Sequence, residues 1–204
     1  MEPAKDFTSY YVDGGKLEEG DSRNGQRHGR WRSWHPDGKL WQECDYQDGE
    51  LVRTTSLRDE SGRETVLEDG EIEVWKACVA KGAGGDVAVY VQLRVPADAK
   101  RVTPRDVEHR YQGRVDRAFV VGITDADGKK YEEARSFVYH FGKLTYKLGQ
   151  EVRPDGFQTN ALLRYAQGIH VHRHKDHCDR WFRERGWGAV PVPMPVPVPE
   201  APNQ

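Results

Sequence analysis

A mainly β protein of the α+β class is what this sequence predicts, and three observations carry the expectation. Glycine-centred polar turns recur at a near-constant step through the first third of the chain. Runs rich in valine and aromatics with two-residue alternation fill the middle. A single stretch near the end has helical periodicity. The architecture that follows is a short antiparallel β-hairpin repeat array (8–70) packed against a mixed β-rich domain (71–185) with one C-terminal helix. A disordered Pro/Val-rich tail (186–204) completes the chain.

The repeat comes first. Gly25, Gly49 and Gly70 close polar turns, and Gly15, Gly38 and Gly62 open the segments between them. The intervals are 23 (Gly15 to Gly38), 24 (Gly38 to Gly62), 24 (Gly25 to Gly49) and 21 (Gly49 to Gly70). A step of this size marks a stacked unit that cannot bury its apolar face alone. Within it, Trp31, Ser33 and His35 alternate with Arg30, Arg32 and Trp34, as a strand requires. His35-Pro36-Asp37-Gly38 is a turn signal, since proline presets φ, aspartate bonds the backbone and glycine accepts φ > 0. Leu40 to Tyr46 then reads as a strand, Gln47-Asp48-Gly49 as a tight Asp-Gly turn, Leu51 to Leu57 as a strand, and Asp59 to Gly62 as a further turn.

From Glu71 onward, Ile72 to Val79 alternates as a strand, and Lys81 to Asp86 makes a glycine-rich turn that lacks the GK[ST] ending of a phosphate loop. Val87 to Val95 is apolar on both faces, so it belongs in the middle of a sheet, and Pro96 ends it. Lys100 to Pro104 reads as a short strand and Tyr111 to Ile123 as a long one, closed by the Asp125 to Gly128 turn. Ala134 to Tyr146 reads as paired strands around Gly142-Lys143, Asn160 to Gln167 as short helix or loop, and Gly168 to His172 as a strand. Lys175 to Arg185 places Cys178, Trp181 and Phe182 at helical spacing. Beyond it, AVPVPMPVPVPEAP suits polyproline II or disorder.

Charged residues are 31% and hydrophobic ones 36%, with mean hydropathy −0.87, so the expected core is modest; aromatics at 10% argue against general disorder. The net charge of −2 divides unevenly: residues 1–70 hold 10 Lys/Arg against 16 Asp/Glu, residues 71–204 hold 21 against 17. Neither −6 nor +4 calls for nucleic acid as a partner. Three widely spaced cysteines imply no disulfide framework. No signal-peptide pattern and no run of ~18 apolar residues occurs, so the expectation is a soluble intracellular protein.

Two resemblances rest on these residues. N-G-x-x-H-G-x-W, P-D-G-K-L and Y-x-x-G-x-L across residues 24–51 resemble the MORN-type repeat in its bacterial and viral variant, with 13–23 and 53–70 as partial units. That resemblance implies structural glycines and aromatics and a role in protein contacts, self-association or, less directly, a membrane surface. The interaction face expected here is Arg30, Trp31, Arg32, Trp34 and Trp41, against a plainer reading in which Trp31, Trp34, Trp41 and Tyr46 fill the core between hairpins. Across about 75–182, W-K-A-C, V-x-L-x-V-P-x-D-A-K-R, G-R-V-x-R-A-F-V, S-F-V-Y, Y-K-L-G-x-x-V-x-P-D-G-F and G-I-H resemble an uncharacterised domain family. It occurs in large DNA viruses and bacteria, often after pentapeptide repeats, and implies architecture only.

The leading functional expectation is therefore a non-catalytic interaction or scaffold protein with a protein partner or a second copy of itself, and no cofactor. The rival is a metal-binding or nucleotide-processing activity in the second domain. His170, His172, His174 and His177 form a histidine run that could supply zinc ligands, although no CxxC or HExxH accompanies it. Lys76, Arg114, Ser136, Tyr146 and His170 form a candidate pocket for an anionic substrate. The G-I-H strand before an aromatic helix resembles an ADP-ribosyltransferase-type cleft, without the S-T-S motif or a placed catalytic glutamate.

Overall fold

The computed structural model describes residues 5–105, 111–137, 144–163, 165–184 and 186–187. Five strands come first: β1 (Lys5–Tyr10), β2 (Lys16–Arg23), β3 (Gln26–Trp34), β4 (Leu40–Gln47) and β5 (Glu50–Leu57), an antiparallel meander in that spatial order. Its turns repeat strictly. At Tyr11–Gly14, His35–Gly38 and Asp59–Gly62 the glycine N–H donates to the carbonyl three residues before it, at 3.0, 2.9 and 2.8 Å. Asn24-Gly25 and Asp48-Gly49 hold φ of 51° and 73°, then 47° and 88°, the positive pairs that a two-residue hairpin with right-handed strand twist demands. Equivalent turn residues thus stand 24 apart: Tyr11, His35 and Asp59, and again Asn24 and Asp48. The glycine in register is Gly14 (φ 88°), not Gly15, and Gly70 falls outside the period.

One face of this meander carries an aromatic row. Phe7 and Trp31 meet at 5.3 Å between ring centroids, across Gly20 of the intervening β2, where a Cβ would stand 2.5 Å from the indole. Trp31 continues to Tyr46 at 6.4 Å, and the Arg27 guanidinium lies 4.2 Å from the Trp31 ring centre. The opposite face is a cross-strand charge ladder in which Arg32 bridges Glu43 and Glu19 and Asp45 bridges Arg30 and Arg53.

The second part is built from β6 (Ile72–Gly82), β7 (Gly85–Val95), β8 (Arg101–Val102), β9 (Gly113–Val115), β10 (Ala118–Thr124), β11 (Glu133–Ser136), β12 (Thr145–Lys147), β13 (Glu151–Val152), β14 (Ile169–Val171) and α1 (His177–Glu184). A six-stranded sheet runs β12-β11-β6-β7-β10-β13, and a small sheet runs β14-β9-β8; neighbouring strands in both pair antiparallel. Val74, Val91, Leu93 and Val95 from the large sheet pack with Val115, Ile169 and Val171 from the small one, all fully buried. Leu67, preceding residue 71, belongs to this same core. The other face of the large sheet takes α1, whose Cys178 and Phe182 pack on Tyr90, Trp75 and Ala77. Both faces of β7 are therefore covered, which is why its sequence is apolar on both sides.

Tyr111 to Ile123 is not one strand. The chain breaks at Asp116-Arg117 because Asp116 is tied to Lys100 through two hydrogen bonds, N–H to the Lys100 carbonyl (3.0 Å) and Lys100 N–H to the carboxylate (2.9 Å). β9 and β10 thereby enter different sheets. Asn160 to Gln167, where described, is loop, and β11 and β12 pair as expected, although Gly142-Lys143 lies outside the described residues, as does the Pro/Val tail from 188.

Meander and second part share buried contacts. Trp41 and Leu57 pack with Tyr111 and Val66. Arg63 bridges Asp59 (2.7 Å) and Asp176 (2.6 Å), while His177 Nε2 lies 3.0 Å from the Asp59 carboxylate. No helix among the described residues is long and apolar enough to cross a membrane.

Candidate functional site

β6 changes partner along its length, and the residues expected to line a pocket stand where it does so. Trp75 exchanges two 2.7 Å backbone hydrogen bonds with His172, but three residues later Cys78 and Val79 pair with β11. Between these points Lys76 points to the core face with Val74 and Cys78, since alternate residues share a face. Its Nζ donates to the His170 carbonyl at 2.9 Å and lies 6.0 Å from the centre of the Tyr146 ring. Ser136 Oγ donates to the Tyr146 hydroxyl at 3.5 Å. Burial lowers the lysine pKa and raises that of the Tyr146 phenol; it pushes the Cys78 thiol up to about 12.

Of the five residues expected here, Lys76 bonds the His170 backbone carbonyl and Ser136 bonds Tyr146, whose ring centre lies 6.0 Å from the lysine amine. Arg114 stands beside them, opposite His170 in the β9–β14 register, but its side chain serves the fold. Fully buried, it donates to the carbonyls of Gln158 (3.2 Å), Asn160 (2.8 Å) and Leu163, so it shapes the 158–163 loop and is not free to hold an anionic substrate. Carbonyl capture of a buried guanidinium from a loop far along the chain leaves no local signal in the sequence.

The histidine run disperses its nitrogens. His170 Nε2 meets the Ala166 carbonyl (2.7 Å), His172 Nδ1 the Tyr111 carbonyl (3.1 Å), His174 Nε2 the Glu64 carbonyl (2.9 Å) and His177 Nε2 Asp59. The rings of His174 and His177 lie 5.4 Å apart, but each is held by a different protein oxygen. Among the described residues no three His, Cys, Asp or Glu side chains converge as a metal-ligand set. Burial holds His170 down to about 4 and His172 to about 3, so both rings are neutral near pH 7. With Nε2–H committed to Ala166, a neutral His170 turns its Nδ1 to the Gln112 side-chain amide, 3.1 Å away.

The expected interaction face divides between the two sides of the meander. Arg30 and Arg32 point outward into the charge ladder, whereas Trp31 and Trp41 are buried and Trp34 is half-buried under the Lys16 ammonium at 4.9 Å. An open groove of ≈ 320 Å³ on the β1–β3 side is lined by Asp6, Phe7, Thr8, Glu19, Asp21, Arg30 and Arg32. Phe7 and Asp6 are additions that two-residue alternation at the start of the chain could have flagged.

A model for a family of unknown function, DUF5758, matches residues 62–178, more than half of the chain. The chain belongs to this family. The matched DUF5758 segment opens at the Gly62 turn and closes at Cys178 in α1, so it takes in the strap through Leu67, both sheets and the start of the helix. Comparison with curated proteins and with solved structures returned no match.

Proposed function

We propose that this chain is a non-catalytic interaction module in which a MORN-type hairpin array, expected over 8–70, leads into the DUF5758 region matched over 62–178. The period of 24 residues in turn geometry, with Asn24-Gly25 and Asp48-Gly49 in equivalent places, supports the repeat reading. The observation that carries the functional reading is the edge strand β1. It pairs with β2 on one side only among the described residues, and the aromatic row ends there with Phe7 42% exposed and Tyr10 61% exposed. An unpaired strand edge offers backbone donors and acceptors to another chain, and the charged groove beside it supplies specificity. The partner is a protein, a second copy of this chain being the simplest.

Trp31 variants test this poorly, because Trp31 is core and its loss would collapse the array. Phe7→Glu is the better perturbation. Light scattering across a concentration series should show wild-type self-association weakened at least tenfold, about 1.4 kcal/mol, with unchanged circular dichroism. A wild-type chain that stays monomeric throughout the series and binds no protein through β1 would overturn the proposal.

A further inference from the structure

The two ends of the hairpin meander carry opposite and incomplete charge. Inside the ladder a charge stands between two of the other sign: Arg32 between Glu19 and Glu43, Asp45 between Arg30 and Arg53. The ends break this order. Asp6 of β1 stands directly opposite Asp21 of β2, a like-charge pair that weakens a sheet, and neither carboxylate has a cation partner among the described residues. Arg30 and Arg32 reach the same groove but are engaged by Asp45, Glu43 and Glu19. At the far end Arg53 of β5, its side chain 68% exposed, meets Asp45 on the β4 side and no carboxylate on its outer side among the described residues. Both end strands are open: β1 pairs with β2 alone and β5 with β4 alone. The outer side of β5 closes only at Leu57, whose carbonyl accepts from Thr65 N–H at 2.7 Å, which leaves 50–54 uncovered. Exposed Val52 lies on that stretch, as exposed Phe7 and Tyr10 lie on β1.

We propose that copies of this chain join end to end, the outer edge of β1 pairing with the outer edge of β5 in the next copy so that Arg53 of that copy meets Asp6 and Asp21. This rests on the interaction reading of β1 and names the surface that meets it. An antiparallel meander of five strands leaves β1 and β5 running the same way. A copy shifted along the sheet without being turned therefore sets them side by side as parallel strands, with both charged faces on one side. Asp6 and Asp21 then gain a guanidinium, and Arg53 gains its second carboxylate. Twofold pairings do the reverse: β1 on β1 gathers two Asp6 and two Asp21 at one seam, and β5 on β5 sets Arg53 near Arg53. Because the two joined surfaces differ, the contact does not close on itself, and the row lengthens as concentration rises.

The test is light scattering of the intact chain across a concentration series, with Asp6→Arg, Arg53→Asp and the variant carrying both changes. Asp6 and Arg53 are exposed, so circular dichroism should be unchanged in all three. The wild-type mass should rise past that of a dimer. Either single change sets like charges against each other at the seam and should weaken association at least tenfold. The double variant should recover it, and so should an equal mixture of the two single variants, because each then offers the end that the other needs. Should Arg53→Asp associate like the wild type while Phe7→Glu does not, β1 remains the interaction edge and its pairing with β5 is wrong. A wild type that stops at the dimer, or a double variant no better than the single ones, sinks the end-to-end contact in the same way. A monomeric wild type sinks it too, and the interaction reading then stands only if a different protein binds β1.

Discussion

Lowering the pH from 7 to 5 should destabilise this fold through its buried histidines, His170 and His172 first and His177 with them, before any carboxylate takes part. His170 and His172 titrate near 6.5 when unfolded, but burial holds them at about 4 and about 3 in the fold. The groups facing them repel a proton as well: Lys76 and Arg114 act on His170, and His177, Lys76 and His170 act on His172. A depressed histidine pKa means that the unfolded chain binds protons which the native one refuses. Stability is therefore full above pH 6.5 and declines as the pH falls from there towards the native values. At pH 5 the unfolded chain gains about 2 kcal/mol per histidine, so about 4 kcal/mol for the pair, a large share of the 5–15 kcal/mol typical of a domain. Asp59 and Asp176 are held below their ordinary value of 3.8, so their contributions are lost only at lower pH and do not blur this window. Urea unfolding followed by tryptophan fluorescence at pH 7, 6 and 5 measures the slope. His172→Asn keeps a donor for the Tyr111 carbonyl and cannot titrate; it should lower stability at pH 7 yet remove about 2 kcal/mol of the loss between pH 7 and 5. Equal stability of the wild type at both pH values would refute the reasoning, as would a His170→Asn/His172→Asn double variant that keeps the wild-type slope.

Three further outcomes follow from packing. Gly20→Ala puts a Cβ 2.5 Å from the Trp31 ring, so the overpacking should cost about 1–3 kcal/mol and appear as a lower Tm. Phe182→Ala removes a side chain that is 1% exposed and meets the Tyr90 ring edge-to-face at 5.0 Å; a loss of about 3–5 kcal/mol and early proteolysis within α1 are expected. Arg114→Met strips the Gln158, Asn160 and Leu163 carbonyls of their donor, and hydrogen exchange in the 157–163 loop should rise by at least tenfold while exchange in β2–β4 stays unchanged.

The hairpins were legible because their causes are local. Asp48-Gly49 and His35-Pro36-Asp37-Gly38 adopt the backbone angles that their residues favour wherever they occur, and alternation around Trp31 told the buried face from the charged one. Reading Gly15 in place of Gly14 was a register slip that only positive φ could expose. The candidate site was half legible. Lys76, Ser136, Tyr146 and His170 could be gathered from strand positions, but the partners that define them could not: Gln112 and the diverging ends of β11 and β14 arrive from distant parts of the chain. The Arg63–Asp176 pair is illegible for the same reason, since an ion pair spanning more than a hundred residues leaves no spacing to read.

Sequence by itself determined the elements: glycine-centred turns, strands with one or two apolar faces, and a helix carrying Cys178, Trp181 and Phe182 on one side. These depend on the φ, ψ and burial preferences of neighbouring residues. Tertiary structure decided what each polar side chain is for. It broke Tyr111–Ile123 between two sheets at Asp116, turned Arg114 into the anchor of a loop, and left Lys76 facing a lone carbonyl. Such roles depend on which backbone groups remain unpaired once the sheets have chosen their partners, and that choice is settled by the packing of the whole chain.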